Sequence, residues 1–492
     1  MAAIKCLVTG ATGYVGGRLI PELLAAGHEV RVMVRHPERL RDFPWIDQVE
    51  VAVADAGDQE AVERALEGMD VAYYLMHSLG SGPDFESTET RIAQAFAAAA
   101  EATHLGRIIY LGGLTHDEDL SAHMKSRLEV EDILLSCAVP TIVLRAAVII
   151  GSGSLSFEMV RYLTERLPAM VTPKWVNTRT QPIAIRDVLR YLVASASMPG
   201  RINRPFDIGG PDVITYEDMM QQYARAAGLR KRLIVNVPVL TPRLSSRWVG
   251  VVTPLPTATA RPLVDSLRNE SVCQEHDIAQ FIPDPPEGLL GFVDAVSLAL
   301  QRIRDAQVVT RWSQASISGV PSDPLPTDPD WAGGSLYTDE RESEVDASPE
   351  QLWAVIEGVG GGNGWYSFPF AWEIRGLFDR VIGGVGLRRG RRDPHHLMVG
   401  EPVDFWRVEE LIPGHLLRLR AEMKLPGLAW LEMEVRTSET GKTLYHQRAI
   451  FYPRGLAGHS YWWSVSIFHV FVFGAMVRNI SKAAQSKTVA HS

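Results

Sequence analysis

A short apolar strand that runs into evenly spaced glycines and then straight into a helix leaves a chain few ways to fold. Residues 4–9, Ile-Lys-Cys-Leu-Val-Thr, have the composition of a buried strand. Gly10, Gly13 and Gly16 follow at three-residue spacing, and helical periodicity begins at Val15 and continues through Leu19, Leu23 and Leu24. Strand, Gly-x-x-Gly-x-x-Gly turn and helix, in that order, predict the opening of a dinucleotide-binding βαβ unit. Gly10 then makes the tight turn, Gly13 lets the backbone approach a pyrophosphate, and Gly16 lets the helix pack close to the strand. Thr12, Tyr14 and Val15 complete the turn, whose phosphates would meet the free N–H groups and positive dipole end of the helix. Pro21 lies inside this helix and removes one backbone hydrogen bond, so a mild kink is expected there.

The alternation continues. Val30, Val32 and Val34 mark a second strand ending at Arg35, and residues 49–54 form a third that closes on Asp55. A helix at 61–66 leads to a fourth strand at 71–76, whose end carries Leu75, Met76 and His77. A long helix covers 86–103, a fifth strand 107–111, a helix 120–136 and a sixth strand 141–150. Strands and helices at this spacing predict an α/β fold, a Rossmann-type doubly wound parallel sheet. Residues 151–300 mix helices at 157–167 and 187–195 with one opening at a Thr215–Asp218 capping box, and read as a substrate lobe.

The expected organisation is a first domain over 1–305, a Pro-rich linker over 306–335, a second domain over 336–485 and a tail over 486–492. The second domain opens on the capping box Ser348-Pro349-Glu350-Gln351. Strand-like segments follow at 403–411, 416–423, 428–436 and 444–451, then an apolar helix at 461–480. Leu431, Met433 and Val435 alternate with Glu432 and Glu434, predicting an antiparallel sheet with one wet face. Short helix, antiparallel sheet and long apolar helix predict an α+β, helix-grip-like domain.

Composition narrows the function classes. The formal net charge of −9 argues against nucleic acid or an anionic membrane as the main partner. The basic run at 388–392 has no interleaved aromatics, which also speaks against nucleic acid. Cys6, Cys137 and Cys273 are too widely spaced for a disulfide framework or a metal site, and His395 and His396 lack matching ligands. No metal and a reducing, cytoplasmic setting are therefore expected. The N-terminus enters a strand with no signal-like segment. Residues 461–477 are apolar, but at about 17 residues they sit at the lower limit for crossing a bilayer, so a buried helix is expected rather than an inserted one. Its aromatic bulk, Trp462, Trp463, Phe468, Phe471 and Phe473, suggests a sheet curled round it with an apolar-ligand pocket between.

Three motifs carry a family resemblance. Thr9-Gly-Ala-Thr-Gly-Tyr-Val-Gly-Gly17, Tyr110-Leu-Gly-Gly-Leu114 and Phe206-Asp-Ile-Gly-Gly-Pro211 resemble the atypical extended short-chain dehydrogenase/reductases, in their NmrA-like branch. The likeness covers roughly residues 1–300 and implies an NADP-binding Rossmann domain. Gly383-Gly-Val-Gly-Leu-Arg-Arg-Gly-Arg-Arg392 and Asp404-Phe-Trp-Arg407 resemble the C-terminal domain fused to some of these proteins, with a layout similar to START and polyketide-cyclase folds.

Cofactor choice also follows from residue types. NAD-selective folds place a carboxylate after the second strand, where it binds the ribose 2′-hydroxyl. Here that position holds Arg35, with Arg39 one turn on, and a guanidinium matches a 2′-phosphate bidentately. NADP is expected rather than NAD. Asp55 is placed to accept from the adenine amine, and Leu75, Met76 and His77 stand at the carboxyl edge where such folds bind ligand.

The resemblance also implies a Tyr-x-x-x-Lys helix pair, which is absent, and an upstream Ser or Thr, for which Thr115 is the nearby residue. His123 and Arg127 occupy the Tyr and Lys positions, and Gly112 and Gly113 stand where serines are expected. His123 and Arg127 are the catalytic candidates, although residues of these types on such a helix are usually exposed. Glu89 is the nearest match to the acidic residue that atypical members often carry.

Three functions fit: an NADP(H)-dependent reductase or epimerase-like enzyme acting on an apolar small molecule, a non-enzymatic NADP(H) sensor, and a membrane-associated lipid-binding protein.

Overall fold

The computed structural model describes residues 3–41, 43–76, 85–116, 120–236, 265–308, 336–366, 393, 396–423, 425–438 and 441–489. His77, His395 and the basic run at 388–392 lie outside them. The chain divides into two compact units, Met1–Gly334 and Ser335–Ser492.

Seven strands build the main sheet of the first unit: β1 (Lys5–Thr9), β2 (Glu29–Val34), β3 (Glu50–Val53), β4 (Val71–Tyr74), β5 (Arg107–Gly113), β6 (Thr141–Ala146) and β7 (Arg204–Ile208). They lie in the order β7-β6-β5-β4-β1-β2-β3, every pair parallel. The winding direction reverses between β1 and β4, which opens a crevice at their carboxyl ends.

Helices cover both faces. Successive strand residues alternate between two cores, as a sheet buried on both sides requires. Cys6, Val8, Tyr73, Ile109, Ile142 and Leu144 join Leu19, Ile20 and Leu23 of α1 (Tyr14–Ala25) in one core. Leu7, Ala72, Tyr74, Ile108, Tyr110 and Val143 face the other, with Val62 and Leu66 of α2 (Gln59–Leu66) and Phe96 and Ala100 of α3 (Phe85–Ala102). Leu134 of α4 (Ala122–Ser136) closes that side.

Helix α1 continues through Pro21 to Ala25. The sixth strand is shorter than expected: the chain leaves the sheet after Ala146, and Ile149–Ile150 pairs instead with Ile183–Ala184. The Thr215–Asp218 capping box is present and opens a helix over Tyr216–Ala226.

The second unit is an antiparallel sheet with helices. Its strands β8 (Tyr337–Val345), β9 (Pro402–Val403), β10 (Trp406–Ile412), β11 (Leu416–Ala421), β12 (Gly427–Thr437) and β13 (Thr443–Pro453) lie in the order β8-β13-β12-β11-β10-β9. The capping box at Ser348 opens α5 (Pro349–Ile356), and the unit ends in α6 (Gly455–Val489). One sheet face packs Leu417, Leu419, Leu431, Met433 and Val435 against Leu352 and Ile356 of α5 and Phe473, Met476, Val477 and Ile480 of α6.

The opposite face is charged, but it is not wet where wetness was expected. Glu432 and Glu434 are 2% and 4% exposed. Long cationic neighbours enclose them. Arg418 Nε and Arg448 Nε each donate to Glu432 at 2.7 Å, and Arg436 Nε donates to Glu434 at 2.8 Å with His446 Nδ1 3.4 Å away. Burial pushes the Glu434 pKa up, but His446 and Arg436 outweigh it and hold the carboxyl at about 2.

A group depressed on folding contributes stability above its unfolded pKa, and the contribution is lost as the pH falls through the folded value. The urea midpoint of the second unit should therefore drop between about pH 4.5 and pH 2, and Glu434→Gln should flatten that part of the profile. An identical acid limb in the variant would mean that Glu434 is not a source of it.

Candidate functional site

The crevice at the β1–β4 reversal is built by the glycine turn. Gly10 has φ 67°, and a Cβ there would come within 2.6 Å of the Leu75 carbonyl oxygen. A Cβ on Gly16 would lie 2.3 Å from the Gly10 oxygen, so the helix can cross the turn this closely only without a side chain. Gly13 differs. Its backbone is extended, its N–H donates to Gly10 O at 2.9 Å, and an added Cβ would meet only that oxygen, at 3.1 Å. Among the described residues no other atom comes within 4 Å of that position, as a site for an incoming group requires.

The helix end above this space is open. Gly13 is the N-cap of α1 with no side-chain cap, and the first turn carries no acidic residue. By contrast, Asp58 caps α2 and Ser121 caps α4 through their own side chains. The Thr9 hydroxyl stitches the strand ends together, donating to Tyr73 O at 2.9 Å and accepting from Leu75 N–H at 3.0 Å.

A cavity of about 420 Å³ occupies the crevice. It gathers Gly10, Thr12 and Gly13 from the turn, Arg35 and Arg39 from beyond β2, Asp55 from beyond β3 and Leu75 from beyond β4. Seven of the sequence-derived positions thus converge on one space. Tyr14, Val15 and Gly16 continue the turn into α1; the Tyr14 ring carries the Arg18 guanidinium at 4.2 Å. His77 lies outside the described residues. Asp55 has a structural task as well, since its Oδ1 accepts the Gly57 N–H at 2.8 Å.

Sequence reasoning missed other lining residues. His36 stands between the two arginines, its Nδ1 3.1 Å from Glu38 Oε1, while Met33, Ala56, Thr88 and Ile92 form apolar or small walls beside Met76, which the sequence places at this edge. His36 was legible as part of a cation cluster. The α3 residues Thr88 and Ile92 were not, because nothing local to that helix marks the side that turns toward the glycine loop.

None of the three catalytic candidates lines the cavity. Glu89 is buried and accepts a hydrogen bond from the Ser126 hydroxyl. His123 and Arg127 are only partly exposed, not the surface residues their types suggest. His123 Nδ1 is 3.5 Å from Ser266 Oγ, and Arg127 Nη1 donates to Leu111 O at 3.2 Å. Burial, and then the Arg127 charge, push the His123 pKa down to about 3, so the ring is neutral near pH 7. That is a poor setting for a proton donor.

A pair the sequence did not reveal lies beyond the end of β5. His116 Nε2 and Asp207 Oδ2 are 2.9 Å apart, and Asp207, 3% exposed on β7, also accepts the Gln274 N–H at 2.9 Å. Among the described residues no group of three or more His, Cys, Asp or Glu is placed to hold a metal ion.

A parallel seven-stranded sheet with an open glycine turn at its reversal point defines a Rossmann-type nucleotide-binding unit. The NAD(P)H-binding family matches residues 10–135, and a family described as a protein of unknown function (DUF2867) matches residues 331–476. A (4-alkanoyl-5-oxo-2,5-dihydrofuran-3-yl)methyl phosphate reductase of Streptomyces griseus is 32% identical over 229 residues, which cover 45% of this chain and 73% of the relative. A ceramide reductase of Caulobacter vibrioides is 26% identical over 230 residues, covering 46% of this chain and 72% of that protein. The structure of a Citrobacter triphenylmethane reductase complexed with NADP(H) aligns with a TM-score of 0.48 at 21% identity, over 60% of this chain and 99% of that one. The chain belongs to the NAD(P)H-binding, atypical short-chain dehydrogenase/reductase family. Its first unit is the nucleotide-binding domain of an oxidoreductase.

Gly13 and Gly16 should separate on substitution. Gly16→Ala forces a methyl group against the Gly10 carbonyl and should destabilise the first unit by roughly 2 kcal/mol or more, read as a lowered urea midpoint. Gly13→Val should leave the fold intact and weaken NADPH by at least about tenfold in calorimetry. A folded Gly13→Val variant that binds NADPH as the parent does would remove the turn from the site.

Proposed function

We propose that the chain is an NADP(H)-dependent oxidoreductase acting on an apolar small molecule. The observation that carries this reading is the cation set at the rim of the cleft. Arg35, His36 and Arg39 line it beyond β2, where an NAD-selective site holds a carboxylate. A guanidinium there favours the doubly charged 2′-phosphate over a ribose hydroxyl. In this reading Gly13 and the N–H groups of Tyr14, Val15 and Gly16 hold the pyrophosphate, with Gly10 and Thr12 shaping the turn. Asp55 receives the adenine amine, and Leu75 borders the path toward the nicotinamide.

Bound NADPH supplies a hydride, and a proton must accompany it. His116, held by Asp207, is the described pair whose chemistry suits proton exchange. Its place at the carboxyl ends of β5 and β7, on the edge that carries the glycine turn, supports the assignment. The relatives named above are reductases of small molecules, which fits reduction of a small molecule here. The second unit is read as a helix-grip domain that holds the apolar ligand. Support comes from its six-stranded antiparallel sheet packed by α6 through Phe473, Met476 and Ile480.

One observation favours a non-enzymatic NADP(H) sensor: the Tyr and Lys positions hold His123 and Arg127, and His123 is kept neutral by burial. A fall in NADPH absorbance on adding cell lipid extract marks the enzyme; tight NADPH binding without turnover marks the sensor.

The cofactor assignment has its own test. Arg35→Asp should weaken NADPH by about tenfold or more, as expected for loss of a charge-assisted pair, and leave NADH much less affected in calorimetry. Equal loss for both nucleotides would exclude Arg35 from discrimination.

A further inference from the structure

Helix α6 is aromatic on two sides. Its inward side is anchored: the Trp462 ring stacks on Tyr337 at 5.1 Å and 8° and on Phe451 at 5.8 Å and 7°, and Tyr337 Oη lies 2.9 Å from His459 Nδ1. The next residue points away. Trp463 is 69% exposed, with a ring-edge contact to Tyr337 at 6.3 Å. Leu456 is 52% and Phe471 63% exposed. The seven-residue spacing puts Leu456 and Trp463 near one another on the first arm of the helix, two turns apart, and Phe471 opens the second arm. The other exposed residues from 456 to 466 are Ala457, Ser460 and Ser464. A side that is this apolar is not what a helix turned to water carries.

Charge identifies what covers it. Residues 454–492 contain no Asp or Glu at all, but they contain Arg454, Arg478, Lys482 and Lys487. Arg454, Arg478 and Lys482 are exposed and bracket the apolar stretch. In a chain of net charge −9 this last segment is therefore locally cationic. Tryptophan and phenylalanine beside arginine and lysine, without carboxylates, are the composition of a helix that lies in the headgroup region of an anionic bilayer.

Crossing would take both arms of the helix, which only together have the length and composition of a span and are sharply bent against each other. Among the described residues no single helix is long and apolar enough to span a membrane. The helix bends by 58° between Gly455–Ser466 and Phe471–Ser486, and each arm falls short of the roughly 20 residues that a span needs.

We propose that the exposed positions Leu456, Trp463 and Phe471 of α6 form a docking surface for an anionic lipid bilayer, on which the helix lies flat. The inference is independent of the nucleotide chemistry of the first unit.

The test is co-sedimentation of the full-length protein with extruded vesicles of phosphatidylcholine alone, or of phosphatidylcholine with about 30% phosphatidylglycerol. The protein should pellet with the mixed vesicles, pellet poorly with phosphatidylcholine alone, and be released by high salt. Trp463→Ser and Phe471→Ser should each weaken partitioning several-fold, and together by about tenfold or more. Arg478→Glu with Lys482→Glu should abolish the preference for anionic lipid. Unchanged NADPH affinity and far-ultraviolet circular dichroism confirm that the variants are folded. Failure to pellet with the mixed vesicles overturns the proposal, as does undiminished binding by the folded double serine variant. A concentration-dependent oligomer in gel filtration that Trp463→Ser dissolves would show that a second copy covers the surface, and would also overturn it.

Discussion

The carboxyl edge of the first sheet depends on how closely α1 crosses the turn from which it grows. Only the missing side chain of Gly16 lets the helix approach the Gly10 carbonyl, and Gly10 in turn presses on Leu75 through a left-handed backbone. The Thr9 hydroxyl locks the same two strand ends from below. Strand, turn and helix are thereby compressed into a layer too thin for side chains. The open helix end is carried directly over the point where the winding of the sheet reverses. The cleft is the space left by that compression, and the cations beyond β2 stand at its rim because β2 is the next strand outward.

Much of this was legible in the sequence. The first sheet could be read because both its signals are local: strand runs, and helices at their own period between them. Gly10, Gly13, Gly16, Arg35 and Asp55 were found because each is the residue at a strand end or in a turn. Proton chemistry was not legible. His116 and Asp207 are 91 residues apart, and only the sheet order, with β6 between their strands, brings them together. The burial that disables His123 is likewise invisible to a pattern of residue types. Strand β8 escaped notice because Tyr337–Val345 is rich in charge; as an edge strand it pairs on one side only and carries Glu340, Glu342 and Glu344 outward. Charged edges of this kind discourage pairing with other chains.

In the second unit, averages concealed local contrasts. Alternation along β12 correctly assigned Leu431, Met433 and Val435 to the packed face, but the intervening glutamates are enclosed rather than solvated. Whole-chain charge likewise says nothing of a terminal helix without a carboxylate. The aromatic bulk of α6 was read as one buried set, yet Trp462 and Phe473 face the core while Trp463 and Phe471 do not. A helix has one inward side, and Trp463 and Phe471 lie off that side of α6.

The ion row across β11, β12 and β13 has a consequence for strand alignment. Glu432 stands opposite Arg418 on one neighbour and Arg448 on the other, and Glu434 stands opposite His446. Shifting β13 by one residue would turn its packed side outward. Shifting it by two keeps the faces but sets a carboxylate against Ile450 or Leu444, stranding a charge where little water reaches. Apolar neighbours tolerate such sliding, since one branched side chain packs much like another. Oppositely charged neighbours do not. The row works as a ruler laid across the strands, and the sheet closes on its hydrophobic side in the one alignment at which every mark is met.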